Sequence, residues 1–240
     1  MIFNDKLQFD SSLHRYFVDG IQYTSVTTFI KKYEKEFLTE YIAQMYADKN
    51  GLDVNDVIQM WEDNRVNAAR NGTAIHNSLE QFIKYGSIDN ELLITNFLKL
   101  VSDGGLIIDS NTQSELRVSC DKLKLAGTFD LANFYPDGTY DLYDFKTGDI
   151  MKRAYGKMKE PLSHIPDCKM SKYSIQLEIY SRIIDNYGYK CRNIYFIWIK
   201  EDLSVEMVEA LDMINEVTLL FDYEKDSKRR FDSGYIAHLL

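Results

Sequence analysis

The chain begins with alternating hydrophobic and polar residues, which is the period of β-strands. Arg15–Val18 and Ile21–Tyr23 are separated by Asp19-Gly20, a dipeptide that is favoured in two-residue hairpin turns. The pattern therefore predicts an N-terminal hairpin within residues 6–23. Ser25 follows the hairpin and is the predicted N-cap of a short helix.

Helical spacing of apolar residues then continues to about residue 102. Asp53 is the predicted N-cap of a helix, and Gly72 is predicted to interrupt that helix because glycine weakens helix interiors. A second helix is predicted to end before Gly86, since glycine is favoured just after a helix C-terminus. Residues 90–102 are predicted to form another amphipathic helix.

The period changes again after this helix, and short segments of strand composition follow one another. Strands are predicted at 107–108, 115–119, 123–133 and 139–146. Residues 148–170 carry no regular period, which predicts a long mobile loop. The remaining predicted elements are a helix, two strands and a helix, at 172–187, 193–200, 204–208 and 211–224.

Composition limits the classes of function. A formal net charge of -9 argues against a protein that coats nucleic acid by charge alone, but it allows a local basic groove. Three cysteines exclude a four-cysteine iron–sulfur cluster within the chain, and the lack of a CxxC pair argues against a zinc ribbon. Free thiols indicate a reducing, intracellular setting. The sequence has no signal peptide pattern, no apolar run of membrane-spanning length and no Walker A loop. We therefore expect neither a membrane partner nor a bound nucleotide.

Two carboxylates and a lysine on neighbouring predicted strands form the most informative chemical pattern. Asp130 ends the segment Ala126-Gly-Thr-Phe-Asp130, and Asp144-Phe-Lys146 follows fourteen residues later. Residues i and i+2 of a strand share a face, so Asp144 and Lys146 project together and Phe145 points into a core. A turn near residue 137 places Asp130 opposite Asp144, and paired carboxylates favour Mg²⁺ or Mn²⁺. The alternative is a pair of exposed carboxylates with Lys146 as a salt-bridge partner.

Five short motifs occur in a fixed order around these residues: Gly72-Thr-Ala-Ile-His76, Ser114-Glu115, Gly127-Thr-Phe-Asp130, Asp144-Phe-Lys146-Thr and Gln176-Leu-Glu-Ile-Tyr180. Over about residues 70–200 the series resembles the PD-(D/E)XK nuclease superfamily, in its RecB-like and Cas4-like exonuclease branch. The segments Leu13–Gly20 and Ser25–Thr28 are similar to phage and bacterial relatives of the mitochondrial genome maintenance exonuclease.

The resemblance implies an α/β fold with a restriction-endonuclease-like core, in which helices flank a central mixed sheet. It also implies an N-terminal hairpin and a helical arch. The expected organisation is a single nuclease domain over residues 1–240. Within it, residues 1–70 hold the hairpin and the arch, and residues 71–225 hold the core.

The resemblance also implies a role for each motif residue. The implied metal ligands are His76, Asp130, Asp144 and the backbone carbonyl of Phe145, and the metal is Mg²⁺ or Mn²⁺. Lys146 is the implied catalytic lysine, beside Asp130 and Asp144. Gln176 and Tyr180 share one helix face and are expected to steady the lysine or the DNA backbone, and Glu115 is expected to support the site. The alternatives are a core or capped histidine at His76, ordinary amphipathic positions at Gln176 and Tyr180, and a solvated strand residue at Glu115.

Basic and aromatic residues outside the motifs are candidates for contacts with DNA. The predicted DNA-binding residues are Lys152, Arg153, Lys157, Lys159, Arg70 and Trp61. Tyr33, Phe37, Tyr41 and Tyr46 alternate with lysines before His76, which suits stacking on single-stranded bases. The alternative is that these aromatic residues belong to a core and that the lysines are solvated, since acidic residues lie among them.

The sequence thus predicts a divalent-metal-dependent DNA exonuclease that prefers single strands with a free end. It is expected in the cytoplasm of a bacterial or phage-infected cell, with a helicase or a recombination or replication protein as a partner. The alternatives are a structure-specific endonuclease on the same fold and a nuclease-fold subunit that binds DNA or supports assembly.

Overall fold

A computed structural model describes residues 3–154 and 156–237, with side chains as far as Asp226 in the last helix. Its described residues form a mixed α/β fold with one eight-stranded sheet that helices flank. The strands are β1 Leu7–Asp10, β2 Arg15–Val18, β3 Ile21–Ser25, β4 Thr112–Cys120, β5 Leu125–Phe134, β6 Thr139–Thr147, β7 Lys190–Ile199 and β8 Val205–Glu209. The helices are α1 Val26–Lys31, α2 Thr39–Asn50, α3 Val54–Tyr85, α4 Glu91–Ser102, α5 Lys169–Asp185 and α6 Ile214–Ala237.

The predicted N-terminal hairpin is confirmed, and it joins the main sheet. Strands β2 and β3 pair antiparallel with Tyr16 opposite Tyr23, and β1 adds to the outer side of β2. The Ser25 side chain accepts a hydrogen bond from the Thr28 N–H, so it caps α1 as predicted. Strand β3 then pairs parallel with β5, which attaches the hairpin to the centre of the molecule.

Strand β5 is the centre of the sheet, and one of its two edges is shared by two partners. Strand β4 pairs along one edge from Cys120 to Thr112. On the other edge, β3 pairs only with Leu125 and Ala126, whereas β6 pairs only from Leu131 onward. Residues 127–130 therefore lie where the sheet divides. We call this place the fork, meaning residues 127–130 of β5 and the facing residues 144–146 of β6.

Two apolar cores lie on opposite faces of the sheet. Helices α1, α5 and α6 cover one core, which includes Phe129, and helices α3 and α4 cover the other, which includes Leu131 and Phe145. Residues two apart in a strand normally share a face, so the placement of Phe129 and Leu131 in different cores shows that β5 changes its alternation at Asp130. The side chain of Asp130 is consequently directed into the fork.

The prediction that Gly72 interrupts a helix is wrong. Helix α3 runs without a break from the Asp53 N-cap to the left-handed Gly86 at its C-terminus. A glycine inside a helix costs about 1 kcal/mol, which does not break a long helix that packs on a core. A Cβ at Gly72 would lie 3.3 Å from Thr147 Oγ1, so the glycine also lets α3 approach the end of β6 closely.

Two further predictions differ from the structure between the helices and strands. Residues 107–108 lie outside any strand, because Leu106 packs into the core before β4 begins at Thr112. The described residues of the segment 148–168, which exclude residue 155, form no helix, as predicted, but Ile150, Met158 and Leu162 are buried. These side chains pack in the same core as residues of α1 and α5, which attaches the segment to the rest of the fold. None of the helices in the described residues is long and apolar enough to cross a membrane.

Candidate active site

The two predicted carboxylates lie next to each other in the fork. The last paired residues of β5 and β6 are Leu131 and Tyr143, so Asp130 and Asp144 occupy the next positions in the same register. The Phe145 N–H donates a hydrogen bond of 2.7 Å to Asp130 Oδ2. The carboxylate thus takes the place of a backbone acceptor where the two strands separate, which confirms the predicted placement of Asp130 beside Asp144.

His76 reaches the same carboxylate from α3. Its Nδ1 lies 3.5 Å from Asp130 Oδ1, and its ring packs edge-to-face on Phe145 with centroids 5.7 Å apart. Burial disfavours the imidazolium, but Asp130 and Asp144 outweigh burial and raise the pKa of His76. Burial likewise opposes the ionised form of Asp130, yet His76 and Lys146 hold the pKa of Asp130 below its usual value. Each of the two groups therefore favours the charged form of the other.

Asp144 and Lys146 form a second charged pair, from the same strand. Lys146 Nζ is in ion-pair contact with Asp144 Oδ2, and it lies 4.3 Å from the centroid of the Tyr173 ring. Burial raises the pKa of Asp144 to about 6, although Lys146 acts in the opposite direction. For Lys146, burial lowers the pKa, but the charges of Asp144 and Asp130 raise it above its usual value. The lysine therefore remains an ammonium ion at neutral pH.

Glu115 joins the group from β4. Ser114 pairs with Leu131 and Leu116 pairs with Phe129, so Glu115 lies opposite Asp130. Its backbone is left-handed, with φ of 55°, which marks a local distortion of the strand. Among the residues that the structure describes, ligand atoms of His76, Glu115 and Asp130 lie within 4.8 Å of one another and could hold a metal ion. Asp144 is not a member of this compact group.

Glu115 therefore lies among the candidate metal ligands, whereas the sequence predicted only a supporting role for it. A sequence signal for this placement exists in the spacing of β4 and β5. A hairpin turn centred between residues 122 and 123 puts position 115 opposite position 130. Burial and the charge of Asp130 raise the pKa of Glu115 to about 7, which is the behaviour of a carboxylate held close to another carboxylate.

The donor set fits a hard divalent cation. It consists of an imidazole and clustered carboxylates, and oxygen ligands are those that Mg²⁺ and Mn²⁺ prefer. Asp144 Oδ2 is buried, and within the described chain it has the ion-pair contact with Lys146 but no hydrogen bond of regular geometry. The Phe145 N–H points to Asp130, and the carbonyl of a strand residue points to the same edge as its N–H. The Phe145 carbonyl is therefore directed into the fork.

Gln176 and Tyr180 border the fork from α5. The Gln176 side-chain amide donates to the Tyr180 hydroxyl at 3.3 Å, as expected for positions i and i+4 of one helix. Tyr180 is buried, and burial raises the pKa of its hydroxyl, so it stays protonated at neutral pH. A Cβ at Gly127 would lie 2.5 Å from the Tyr180 hydroxyl oxygen. The glycine of the Gly127–Asp130 motif thus makes room for the tyrosine to cross β5.

Five of the six predicted DNA-binding residues are exposed, and the sixth is half-buried. Lys152, Arg153, Lys157 and Lys159 are exposed on the segment that precedes α5, and Arg70 is exposed on α3. Trp61 instead packs between Phe37 and Tyr46, with ring centroids 6.2 and 5.9 Å away.

The aromatic residues before His76 also differ in their exposure to solvent. Tyr33 is buried in the core and donates a hydrogen bond to Glu224, so the core alternative holds for it. Phe37, Tyr41 and Tyr46 are exposed. Three of the four aromatic residues are therefore accessible to solvent.

Two clefts lie beside the fork. The smaller one, of about 230 Å³, is bounded by the N-terminal hairpin and by Glu115, Gly127, Gln176 and Tyr180. We call it the hairpin cleft. The larger one, of about 570 Å³, lies between α3 and the ends of β6 and β7, where Thr147, Lys169 and Lys200 line it. Sequence patterns did not single out Lys200, because only the fold brings the end of β7 beside α3.

Comparison with known proteins gives structural neighbours but no family. No family model matches the chain, and no curated protein matches it. Among solved structures, a protein of Eubacterium rectale described as a candidate exonuclease aligns with 88% of this chain and 82% of its own, at 14% identity and a TM-score of 0.43. The protein SSO0001 aligns with 83% of this chain and 73% of its own, at 15% identity and a TM-score of 0.32.

Proposed function

We propose that the protein is a divalent-metal-dependent DNA exonuclease that hydrolyses phosphodiester bonds in single strands with a free end. One observation carries the proposal. His76, Glu115 and Asp130 converge within 4.8 Å beside the buried pair of Asp144 and Lys146. Four ionisable side chains next to an ammonium ion are costly to bury unless they serve a cation and its substrate.

The residues that would hold the cation are His76, Asp130, Glu115, Asp144 and the carbonyl of Phe145. A bound Mg²⁺ or Mn²⁺ would lower the pKa of a water molecule and offset charge on a phosphoryl oxygen. In the hydrolysis, a water oxygen bonds to phosphorus, the phosphorus–oxygen ester bond breaks, and the leaving oxygen gains a proton.

The charged lysine has a specific part in this reaction. Lys146 is held at the reacting centre by Asp144 and by the Tyr173 ring. As an ammonium ion it can only donate hydrogen bonds, so its role is to orient the attacking water and to stabilise negative charge in the transition state. Gln176 and Tyr180 support that side of the fork and keep the lysine in place.

The order of elements supports membership of the PD-(D/E)XK superfamily, in the RecB-like and Cas4-like branch, as part of this proposal. The histidine comes from α3, one aspartate from β5, the Asp-x-Lys sequence from β6 and the Gln/Tyr pair from α5. These are the elements on which the sequence motifs were expected. The same proposal covers the single domain of residues 1–240, a cytoplasmic location and a helicase or a recombination or replication protein as a partner.

The preference for single strands rests on exposed aromatic and basic side chains outside the fork. Phe37 and Tyr41 are exposed on and beside α2, where bases of a single strand could stack on them. The exposed cations of the segment before α5, from Lys152 to Lys159, offer phosphate contacts. A protein with net charge -9 needs such a local basic surface to bind DNA.

The test compares linear and circular single-stranded DNA of the same sequence, with Mn²⁺ and with EDTA. We expect Mn²⁺-dependent shortening of the linear strand and no cutting of the circle. Asp144→Asn and Lys146→Ala should each abolish cutting, whereas Lys122→Ala, at an exposed position of the β4–β5 turn, serves as the matched control.

Other results would point to the alternatives. Cutting of circles would replace the exonuclease with an endonuclease on the same fold. DNA binding without cutting by the wild type would favour a DNA-binding or assembly subunit. Cutting that survives both Asp144→Asn and Lys146→Ala would show that the site is assigned wrongly.

A further inference from the structure

We infer that the hairpin cleft receives the terminal nucleotide of the strand, so that cleavage releases single nucleotides. The inference rests on the proposed cleavage in the fork and adds to it the length of the product. Its basis is the position of the cleft, its size and the chemistry of its walls.

The hairpin cleft opens directly from the metal-capable group. Glu115 lines the cleft and also belongs to the group with His76 and Asp130. A phosphate held at that group would therefore lie at one end of the cleft. The nucleoside attached to this phosphate on the hairpin side would enter the cleft.

The size of the cleft limits what it can hold. Its volume of about 230 Å³ is below the roughly 300–1,000 Å³ of pockets that enclose drug-sized ligands. One nucleoside fits this scale, and an oligonucleotide does not. The larger cleft of about 570 Å³, between α3 and the ends of β6 and β7, leaves room for the rest of the strand.

The walls of the cleft suit a base of any identity. Phe9, His14 and Tyr16 cluster on the hairpin, with the Phe9 ring centroid 4.7 Å from that of Tyr16 and 5.1 Å from that of His14. Aromatic rings bind bases by stacking, which tolerates sequence variation. Ser25, Thr27 and Gln176 add neutral hydrogen-bonding groups to the other walls. Arg117 lies over the Phe9 ring, 5.5 Å from its centroid, and brings a cation near the cleft.

The hairpin wall is a fixed part of the fold. Tyr16 is buried with Leu7, Val18 and Tyr23 against Ala126 of β5. Its hydroxyl lies 3.0 Å from Thr128 Oγ1, which ties the wall to the fork itself. A strand that passes the metal-capable group therefore meets a packed hairpin after one nucleotide. This geometry explains how a free end would be selected.

The experiment measures product length and nucleotide binding side by side. The substrates are end-labelled linear single strands with Mn²⁺, and the binding probe is deoxythymidine 5′-monophosphate with Mg²⁺, measured by calorimetry. Thr27→Trp fills the cleft from an exposed position of α1, and His14→Asn removes the imidazole while keeping a residue that tolerates positive φ. Gln22→Trp, exposed on the same hairpin but outside the cleft lining, is the matched control.

We expect the wild type to release mainly single nucleotides and to bind the monophosphate. Thr27→Trp should reduce both by at least about tenfold, and His14→Asn should weaken binding by about fivefold or more, as for loss of a stacking partner. Gln22→Trp should match the wild type. Folding of each variant is checked by its melting temperature.

Different outcomes separate this inference from the proposed function. Wild-type products that are all several nucleotides long, or a Thr27→Trp protein that equals the wild type, would overturn the hairpin cleft as a product site and leave the exonuclease intact. Absence of any cleavage would overturn the proposed function. Monophosphate binding that Thr27→Trp abolishes would then still establish the cleft as a nucleotide site.

Discussion

The fork and the helical arm of this protein differ in which side chains they bury. The helical arm consists of α2 and residues 54–74 of α3. In the fork, Asp144 is only 3% exposed and its neighbours are ionisable. In the arm, a small cluster of Ala43, Ala47 and Val57 is buried, whereas Tyr41 is 64% exposed.

This contrast bears on the proposed division between cleavage in the fork and DNA binding on the arm. Buried charges are tolerated only with partners in good geometry, so the fork must be set by the cores on both of its sides. Exposed rings on the arm contribute little to folding and can change with little effect on stability. Substitutions in the fork should therefore affect activity and stability together, and those in the arm should affect DNA binding alone.

The largest effect is expected from Asp130→Asn. The amide oxygen can still accept the hydrogen bond from Phe145, but the charge that pairs with His76, and that we propose binds the cation, is lost. Cleavage should fall by about 10²- to 10³-fold or more, as for loss of a group that stabilises transition-state charge. Mg²⁺ should also no longer raise the melting temperature, as it should in the wild type by ligand linkage.

Asp103→Asn, on the exposed end of α4, is the control for Asp130→Asn. It should leave both rate and Mg²⁺ response unchanged. A wild-type melting temperature that does not respond to Mg²⁺ or Mn²⁺ would contradict the metal site.

Substitutions in the arm should change DNA binding and leave stability almost unchanged. Tyr41→Ala should weaken binding of single-stranded DNA by about 5- to 150-fold, since stacking on one base contributes about 1–3 kcal/mol. Its melting temperature should stay close to that of the wild type because the side chain is largely exposed. Tyr85→Ala is the matched control, since Tyr85 is 73% exposed at the far end of α3. Equal DNA binding by the two variants would remove the arm from the DNA path.

Packing in the fork can be tested without changing a charge. Gly127→Ala would place a methyl group 2.5 Å from the Tyr180 hydroxyl, and overpacking of this kind costs about 1–3 kcal/mol. The melting temperature should drop by roughly 2–12 °C for a protein of this size. Gly72→Ala meets Thr147 Oγ1 at 3.3 Å and gains helix propensity, so it should change stability by less than about 1 kcal/mol. A Gly127→Ala protein as stable as Gly72→Ala would show that the fork is not closely packed.

The smallest effect is a pH dependence of stability in the metal-free protein. The pKa of Glu115 is raised to about 7 and that of Asp144 to about 6. In the unfolded chain these carboxyl groups ionise near pH 4. Between about pH 4 and their raised pKa values, the folded protein therefore keeps protons that the unfolded chain has released. Stability from these groups therefore falls as the pH rises through this window, and the raised pKa of His76 acts in the same direction.

In EDTA, we expect the melting temperature to fall by a few degrees from about pH 5 to about pH 7.5, and to fall less in Glu115→Gln. With Mg²⁺ the trend should weaken or reverse, because the cation binds the deprotonated groups. A Glu115→Gln protein with the same pH profile as the wild type would contradict the placement of Glu115 beside Asp130.

Much of the fold follows from local patterns. Asp19-Gly20 closes the N-terminal hairpin, Asp53 caps α3, and the alternation in β5 and β6 together with their turn gives the register that joins Asp130 to Asp144. These features depend on residues close together in the chain, so local conformational preferences determine them. The helix break predicted at Gly72 failed because packing of α3 on the sheet outweighs the small local cost of a glycine.

The sequence by itself predicted the side chains of the candidate site, since a histidine, two aspartates and a lysine at these spacings suit a divalent cation. Only the tertiary structure decided that His76 of α3 reaches Asp130, that Tyr33 and Trp61 pack while Tyr41 is exposed, and that the hairpin bounds a cleft beside the fork. The reason is that these relations join residues far apart in the chain. They arise when strands pair and cores pack, which the local period of the sequence does not encode.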